Sequence, residues 1–226
     1  MSGGAGEGPR RVGRPRADRL RPRSGRPPRE EFLCAAAELF TALGYAATTT
    51  RAVAERAGMR QATMYHYFGG KEDLLAELLE STVAPSLVLA RQLLADGERP
   101  AARRLWELCR SDVLLLCGGP CNLGALYLLP EVAGARFERF RRMRGELKDA
   151  YRVLLDGTGV GAELAGDGAA LALRNDLVFG LIEGVMLIHR ADPGRPVAVF
   201  AEATADAALR IAGVGGTGPL GGDAPA

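Results

Sequence analysis

Residues 48–74 read TTTRAVAERAGMRQATMYHYFGGKEDL. The stretch decides the fold because it holds two short helices separated by a glycine. Thr50 to Ala57 is expected as the first. Thr49 is its N-cap, since a threonine hydroxyl accepts one of the orphan amides of the first turn, and Gly58 is its stop. Gly58 also supplies the positive φ that a tight turn demands. Val53, Ala54 and Ala57 form one face of this helix, and Ala54 is small where the next helix must cross. Met59 is apolar and tucks into the turn. Gln61 to Phe68 is expected as the second helix. Met64 and Phe68 lie four apart and share its inward face. That leaves Ala62, Thr63, His66 and Tyr67 outside, with Gln61 and Tyr65 at the flank.

A buried helix would not choose those outward groups; a helix that touches something polar and repetitive would. Helix, four-residue turn and helix with outward hydrogen-bonding groups is a helix-turn-helix pattern. Gln61 suits an adenine edge and Thr63 several bases, while Tyr65 and His66 reach phosphates. Thr50 and Arg51 point to the flanking backbone or a guanine. Lys71, in the first turn of the following helix, would meet a phosphate that the helix N-terminus also attracts. On pattern alone, a small bundle that merely exposes polar residues fits equally well.

Helical spacing continues on both sides. Arg29 to Leu43 carries Leu33, Ala36, Phe40 and Leu43, with Pro27 and Pro28 before it and Gly44 after it. Gly70 opens a long helix to about Ala95, bent near Pro85. Pro100 to Leu116, a short piece from Asn122 to Leu129, Arg136 to Leu155, Gly168 to Arg190 and Pro196 to Ala212 follow. Strand alternation is absent. The chain is expected to be all-α, with about nine helices.

Ala36-x-x-Leu39-Phe40, Gly44-Tyr45, Thr48-Thr49-Thr50, Val53-Ala54, Ala57-Gly58, Met64-Tyr65 and Phe68-x-x-Lys71-Glu72-x-Leu74-Leu75 occur in that order without gaps. Phe32 to Leu75 thereby resembles the DNA-binding domain of the TetR (tetracycline-repressor) family of bacterial transcription regulators. The resemblance covers a fifth of the chain. It implies an N-terminal three-helix helix-turn-helix domain over 30–76, joined to a larger helical ligand-binding and dimerisation domain over 77–212. It also implies that Gln61–Phe68 is the recognition helix, and that Thr50, Arg60, Gln61, Ala62, Thr63, Tyr65, His66, Tyr67 and Lys71 sit where family members touch DNA. Arg60 stands where Ser or Thr often caps the helix, and Tyr67 where His is frequent. Both departures bear on base preference.

Residues 1–29 hold nine arginines against Glu7 and Asp18, a net of +7 in a chain whose net charge is +2. The remainder therefore sums to −5, so the basic charge belongs to one arm. With six glycines and five prolines the arm is expected to be disordered, and 213–226 to be a similar tail. Gly13-Arg14-Pro15-Arg16 and Gly25-Arg26-Pro27 fit a minor-groove hook, with Arg14 and Arg16 in a narrow groove; a solubilising tail that meets phosphates without order is the other reading.

In the second half the resemblance implies an effector pocket and a dimer interface, and spacing nominates the residues. Trp106, Cys109, Asp112, Val113 and Leu116 share one helix face. Tyr127, Phe140, Arg144, Asn175 and Phe179 follow on later helices. Together they suit an apolar cavity with a few polar groups, although aromatic residues at such spacing also make plain core. Gly180-x-x-x-Gly184, flanked by Leu177, Leu181, Val185 and Ile188, allows close approach of another helix. With Phe200, Ala203 and Ala207 of the last helix it is expected to form a homodimer's four-helix bundle. Intrachain packing is the alternative.

The expected function is a homodimeric repressor released from a palindromic double-stranded DNA operator by a small-molecule effector. The alternative is a ligand-independent regulator governed by a protein partner or by the redox state of Cys117 and Cys121. No GxSxG, P-loop, GxGxxG or HExxH is present, so an enzyme is not expected. Four cysteines without a CxxC pair and two histidines give no metal site, and no cofactor is expected. The polar N-terminus and the broken apolar run from Val113 to Pro130 suit neither a secretory leader nor a membrane span. A cytoplasmic, nucleoid-associated protein is expected.

Overall fold

A computed structural model describes residues 25–121, 123–164 and 166–214. Arg14, Arg16 and most of the expected arm and tail lie outside the described residues. Among those described there are ten α-helices, three short 3-10 segments and no strand. The helices are α1 (Pro28–Leu43), α2 (Thr50–Arg56), α3 (Gln61–Tyr65), α4 (Lys71–Ser81) and α5 (Ala84–Ala95). They continue with α6 (Ala101–Cys117), α7 (Glu138–Asp156), α8 (Gly159–Glu163), α9 (Gly168–Ala191) and α10 (Val197–Ala212). The 3-10 segments, Leu123–Leu128, Pro130–Ala133 and Ala135–Phe137, join α6 to α7.

Three expectations change. The long helix after Gly70 is two helices, because Pro85 has no N–H for the carbonyl of Ser81 and its ring crowds that carbonyl. Pro85 instead sits in the first turn of α5, where a missing N–H costs nothing. The expected helix from Asn122 to Leu129 is a 3-10 run. Gly124 there lies so close to α9 that a Cβ would stand 1.5 Å from the sulfur of Met186. α3 ends at Tyr65, and His66 and Tyr67 continue it only as a turn.

α1 buries Phe32, Ala36 and Phe40 against α2 and α4. α4 reaches on to α7 and the 3-10 segments, and so connects the N-terminal helices to the larger body. In that body α10 lies against α6 and α9. Ala201, Ala205, Ala208 and Ala212 make the fully buried stripe that lets α10 approach closely. Trp106 of α6 is part of this packing. Its indole N–H donates to Asp206 Oδ1 at 2.7 Å, and Arg103 and Arg110 lie over its ring. No helix of the described residues is long and apolar enough to cross a membrane.

Candidate DNA-binding face and effector cavity

The N-terminal face is built from the cap upward. Thr49 accepts the Ala52 amide at 3.1 Å and starts α2. Gly58 turns with φ +71°, and the Met59 amide bonds back to the Ala54 carbonyl at 2.9 Å, which buries Met59 in the turn. Arg60 opens α3 with no side-chain cap. Met64 and Phe68 point inward and are buried, while Arg60, Ala62, Tyr65, His66 and Tyr67 are exposed and Gln61 and Thr63 half-buried. Thr49→Ala should cost about 1 kcal/mol of stability, the usual worth of a cap, read as a lowered urea midpoint with an unchanged slope.

A polar cluster joins the two helices. Gln61 Nε2 donates to Thr50 Oγ1 at 2.8 Å and reaches the Tyr65 hydroxyl at 3.4 Å. Thr50 and Tyr65 lie 3.3 Å apart, oxygen to oxygen. The three side chains most suited to bases and phosphates thus hold one another in place. Tyr67 rests partly on Phe32, ring centroids 6.2 Å apart. Arg51 is exposed and pairs with Glu55 at 2.8 Å. Lys71 is more committed than expected. Its ammonium donates to the carbonyls of Tyr45 and Thr48 at 3.0 and 3.3 Å and lies over the Tyr45 ring. A phosphate there would compete with those carbonyls. The Tyr45 hydroxyl beneath is pushed up to about 12, first by burial and then by Glu72 and Glu131.

In the body, a cavity of about 560 Å³ opens between the 3-10 segments, α7 and α9. Tyr127, Phe140 and Arg144 line it, with Leu129, Val132 and Met186. A second void of about 20 Å³, room for one water, lies beyond Tyr127 and Arg144. Asp112, Leu116 and Phe179 border it, together with Ser86, Thr82 and Glu183. Arg144 is ion-paired with Glu183 across the two spaces, and its guanidinium lies over the Phe179 ring. The Tyr127 hydroxyl bonds to that of Thr82. Asp112 is buried. It accepts the Tyr151 hydroxyl at 2.6 Å through Oδ2, while Oδ1 has no partner among the described residues. Desolvation pushes its carboxyl up to about 6, against the opposing pull of Ser86 and Tyr151.

Six of the ten nominated pocket residues therefore meet at these spaces. Trp106, Cys109, Val113 and Asn175 line neither. Trp106 packs under α10. Cys109 and Val113 are fully buried, and Asn175 bonds to the Lys148 carbonyl at 3.2 Å. Helical spacing gives a side chain's face but not the neighbour that covers it. Thr82 and Ser86 join the site without having been expected there; hydroxyls on either side of Pro85, in an otherwise apolar run, are the signal that could have found them.

Of the nominated interface residues, Leu177, Gly180, Ile188 and Ala203 are exposed, and Leu181, Gly184 and Ala207 half-exposed. A Cβ on Gly180 or Gly184 would meet nothing within 4 Å. Val185 and Phe200 are corrected: both are buried within the chain. Leu173, Leu187 and Val199 extend the exposed apolar surface and are about 60% accessible. The arginines of α7 and of the 3-10 segment before it do not form a free basic face. Arg136 pairs with Asp73 at 2.6 Å, Arg139 with Glu80 at 3.3 Å, and Arg141 donates to the Val132 and Gly134 carbonyls. Cys117 is buried and its thiol is pushed up to about 11, which removes the accessible thiolate that redox sensing with Cys121 requires. Among the described residues no group of three or more His, Cys, Asp or Glu side chains lies where it could hold a metal ion.

A helix-turn-helix head joined by α4 to a cavity-bearing helical body defines the class: a DNA-binding regulator. Comparison with known proteins agrees. Residues 32–78 match the family described as bacterial regulatory proteins, tetR family. The crystal structure of Mycobacterium smegmatis AmtR is 44% identical, with a TM-score of 0.77, over 87% of this chain and 92% of that one. The HTH-type transcriptional repressor KstR2 of Rhodococcus jostii (strain RHA1) is 37% identical over 83 residues, 37% of this chain but only 40% of that protein. The regulator FadR from Bacillus subtilis, in complex with stearoyl-CoA, shares the fold at 20% identity, with a TM-score of 0.56 over 80% of this chain and 97% of that one. The chain belongs to the TetR family of transcription regulators, which are not enzymes.

Proposed function

We propose that the protein is a homodimeric repressor that a small molecule, bound in the α7–α9 cavity, releases from a twofold operator. The observation that carries this reading is the double role of α7. Phe140 and Arg144 of α7 wall the cavity, Arg139 in the first turn of the same helix holds Glu80 of α4, and Arg136 in the 3-10 segment just before it holds Asp73. A ligand that displaces α7 therefore pulls on α4, and α4 carries the head. The ligand must bind the displaced form more tightly, or the DNA equilibrium does not move. The cavity walls are mostly apolar; of their charged groups, Arg144 is paired with Glu183, and Arg141 donates to the Val132 and Gly134 carbonyls. An apolar effector with a modest polar head fits such a lining. A long-chain acyl thioester bound to FadR supports that effector class for this fold.

Twofold binding follows from the size of the head, since one five-residue helix reads few bases and a dimer reads two half-sites. Exposed Leu177, Gly180 and Leu187 and half-exposed Gly184 on α9, with exposed Ala203 on α10, supply a self-complementary face for it.

The test is fluorescence anisotropy on DNA from just upstream of the protein's own gene, across a salt series, for the full chain and for one lacking residues 1–24. Binding that resists competitor DNA is expected, with a shallower salt dependence after truncation. Each phosphate that the shortened chain no longer neutralises reduces the magnitude of the negative slope of log K against log salt by about 0.9. No DNA binding at low salt would overturn the reading. Gln61→Ala should weaken operator binding by about 1–3 kcal/mol, roughly 5- to 150-fold. Tyr65→Phe should weaken it less, and both variants should keep the parent's thermal midpoint.

A further inference from the structure

A third cavity, of about 630 Å³, adjoins the effector spaces, sharing Gly124 with the larger and Thr82 and Leu116 with the smaller, but its other walls are its own. One wall is α1, through Leu33, Cys34 and Ala37. The facing wall belongs to the body: Leu115 and Leu116 at the end of α6, and Cys121 in the loop after it. Arg26 closes one edge, and its Nη1 donates to the Cys34 sulfur at 3.3 Å. The lining is apolar apart from Arg26, Glu30, Glu38, the Ser81 and Thr82 hydroxyls and the two free thiols. The other two cysteines, Cys109 and Cys117, are buried and border none of this space.

We propose that this interdomain cavity is a second ligand site that takes an apolar electrophile, an α,β-unsaturated carbonyl compound, which Cys34 traps covalently. Cys34 is the nucleophile, not Cys121, because the Arg26 guanidinium already faces its sulfur as charge builds on it. Burial, Glu38 and Cys34 itself disfavour a thiolate at Cys121, with only Thr41 opposing. In the reaction the Cys34 sulfur bonds to the β-carbon and the carbon–carbon π pair moves to the α-carbon. That carbon takes up one proton in place of the one the thiol releases, so no oxidant or reductant is needed. An occupant touches α1 on one side and α6 on the other, so its affinity depends on how head and body are oriented. By linkage, occupancy must then change DNA affinity. This consequence rests on the DNA-binding reading above; the site itself does not.

The experiment treats the full chain with N-phenylmaleimide, an apolar acceptor, and with acrylamide, a small polar one. Peptide mass spectrometry follows each cysteine over time. The expected result is that Cys34 labels first with N-phenylmaleimide, at a rate that saturates with reagent because binding precedes reaction. Acrylamide should react in simple proportion to its concentration. Leu115→Trp, which fills the cavity, should abolish saturation while leaving the acrylamide rate within about twofold. Linear kinetics with both reagents, or labelling of Cys121 ahead of Cys34, would overturn the site. The labelled protein should show a shift in operator Kd of about fivefold or more. An unchanged Kd would overturn its regulatory role. Saturation at Cys34 in a protein that binds no DNA would leave the site standing and fail only the proposed function.

Discussion

Leu177→Glu combined with Leu187→Glu should convert the protein from dimer to monomer and abolish tight operator binding at nanomolar protein. Both leucines lie on α9, exposed by 53% and 62% in the isolated chain. In a twofold interface each substitution counts twice, so four leucines leave it. Only the exposed half or so of each leucine is left for the partner to cover, about 1 kcal/mol apiece, so the change is roughly 4 kcal/mol, about three decades in the dimer dissociation constant. Burying four carboxylates against the partner adds to that. Because the side chains are exposed within the protomer, the monomer should still fold, and its helical circular dichroism should match the parent's. Sedimentation velocity reads the mass and anisotropy reads the DNA. A variant that stays dimeric would move the interface off α9, and a monomer that binds operator as tightly as the parent would remove the need for a dimer.

The second large effect concerns Asp112. In the unfolded chain its carboxyl titrates near 3.8, and in the folded chain at about 6. The folded state therefore holds the proton more tightly. The stability this contributes is complete below pH 4, falls as the pH rises to about 6, and is absent above. The size is about 3 kcal/mol. Asp112→Asn keeps an oxygen for the Tyr151 hydroxyl and cannot ionise. Its amide nitrogen takes the position of the unpartnered Oδ1, which returns part of the gain. The variant should be more stable than the parent by about 1–2 kcal/mol at pH 8 and no more stable at pH 4. Other carboxylates titrate the opposite way; Arg136 beside Asp73, for one, holds that carboxyl below its usual value. They are common to both proteins, so the difference between the two urea-midpoint profiles isolates Asp112. Parallel profiles between pH 4 and 8 would show that Asp112 is not a desolvated acid.

A protonatable carboxyl beside the effector cavity has a further use. It borders the small space, with room for about one water, next to Tyr127 and Arg144, which also line the larger cavity. An effector head that reaches past Tyr127 would enter that space. It would then meet a group whose charge depends on pH in the range just below neutrality. Effector binding to the parent should change between pH 5 and 7 more than binding to Asp112→Asn does.

Much of the fold is legible in the sequence because its signals are local. The Thr49 cap, the stop at Gly58, the inward pair Met64 and Phe68 and the prolines before α1 act within a turn or two of chain, where chemistry and spacing are enough. The outward side chains of α3 are legible for the same reason: once the inward face is fixed, the other face is fixed with it. Where sequence reading fails, the deciding partner is far away in the chain. Helical spacing puts Trp106 in a pocket, but a hydrogen bond to Asp206, one hundred residues on, fixes it beneath α10. Its place in a helix N-terminus suits Lys71 to a phosphate, but the carbonyls that follow α1 hold it. Proximity in sequence pairs Cys117 with Cys121, but the tertiary fold buries the first and also sets the second in the wall of a cavity that Cys34 lines. By itself, then, the sequence determined the helices, the helix-turn-helix and its outward face, because propensity, capping and amphipathic period are short-range. Only the tertiary structure decided which residues share a cavity, which arginines are already neutralised and which apolar face of α9 is left uncovered. Those outcomes depend on how separate helices pack, and that is set by the sum of many small interactions and by no single local pattern.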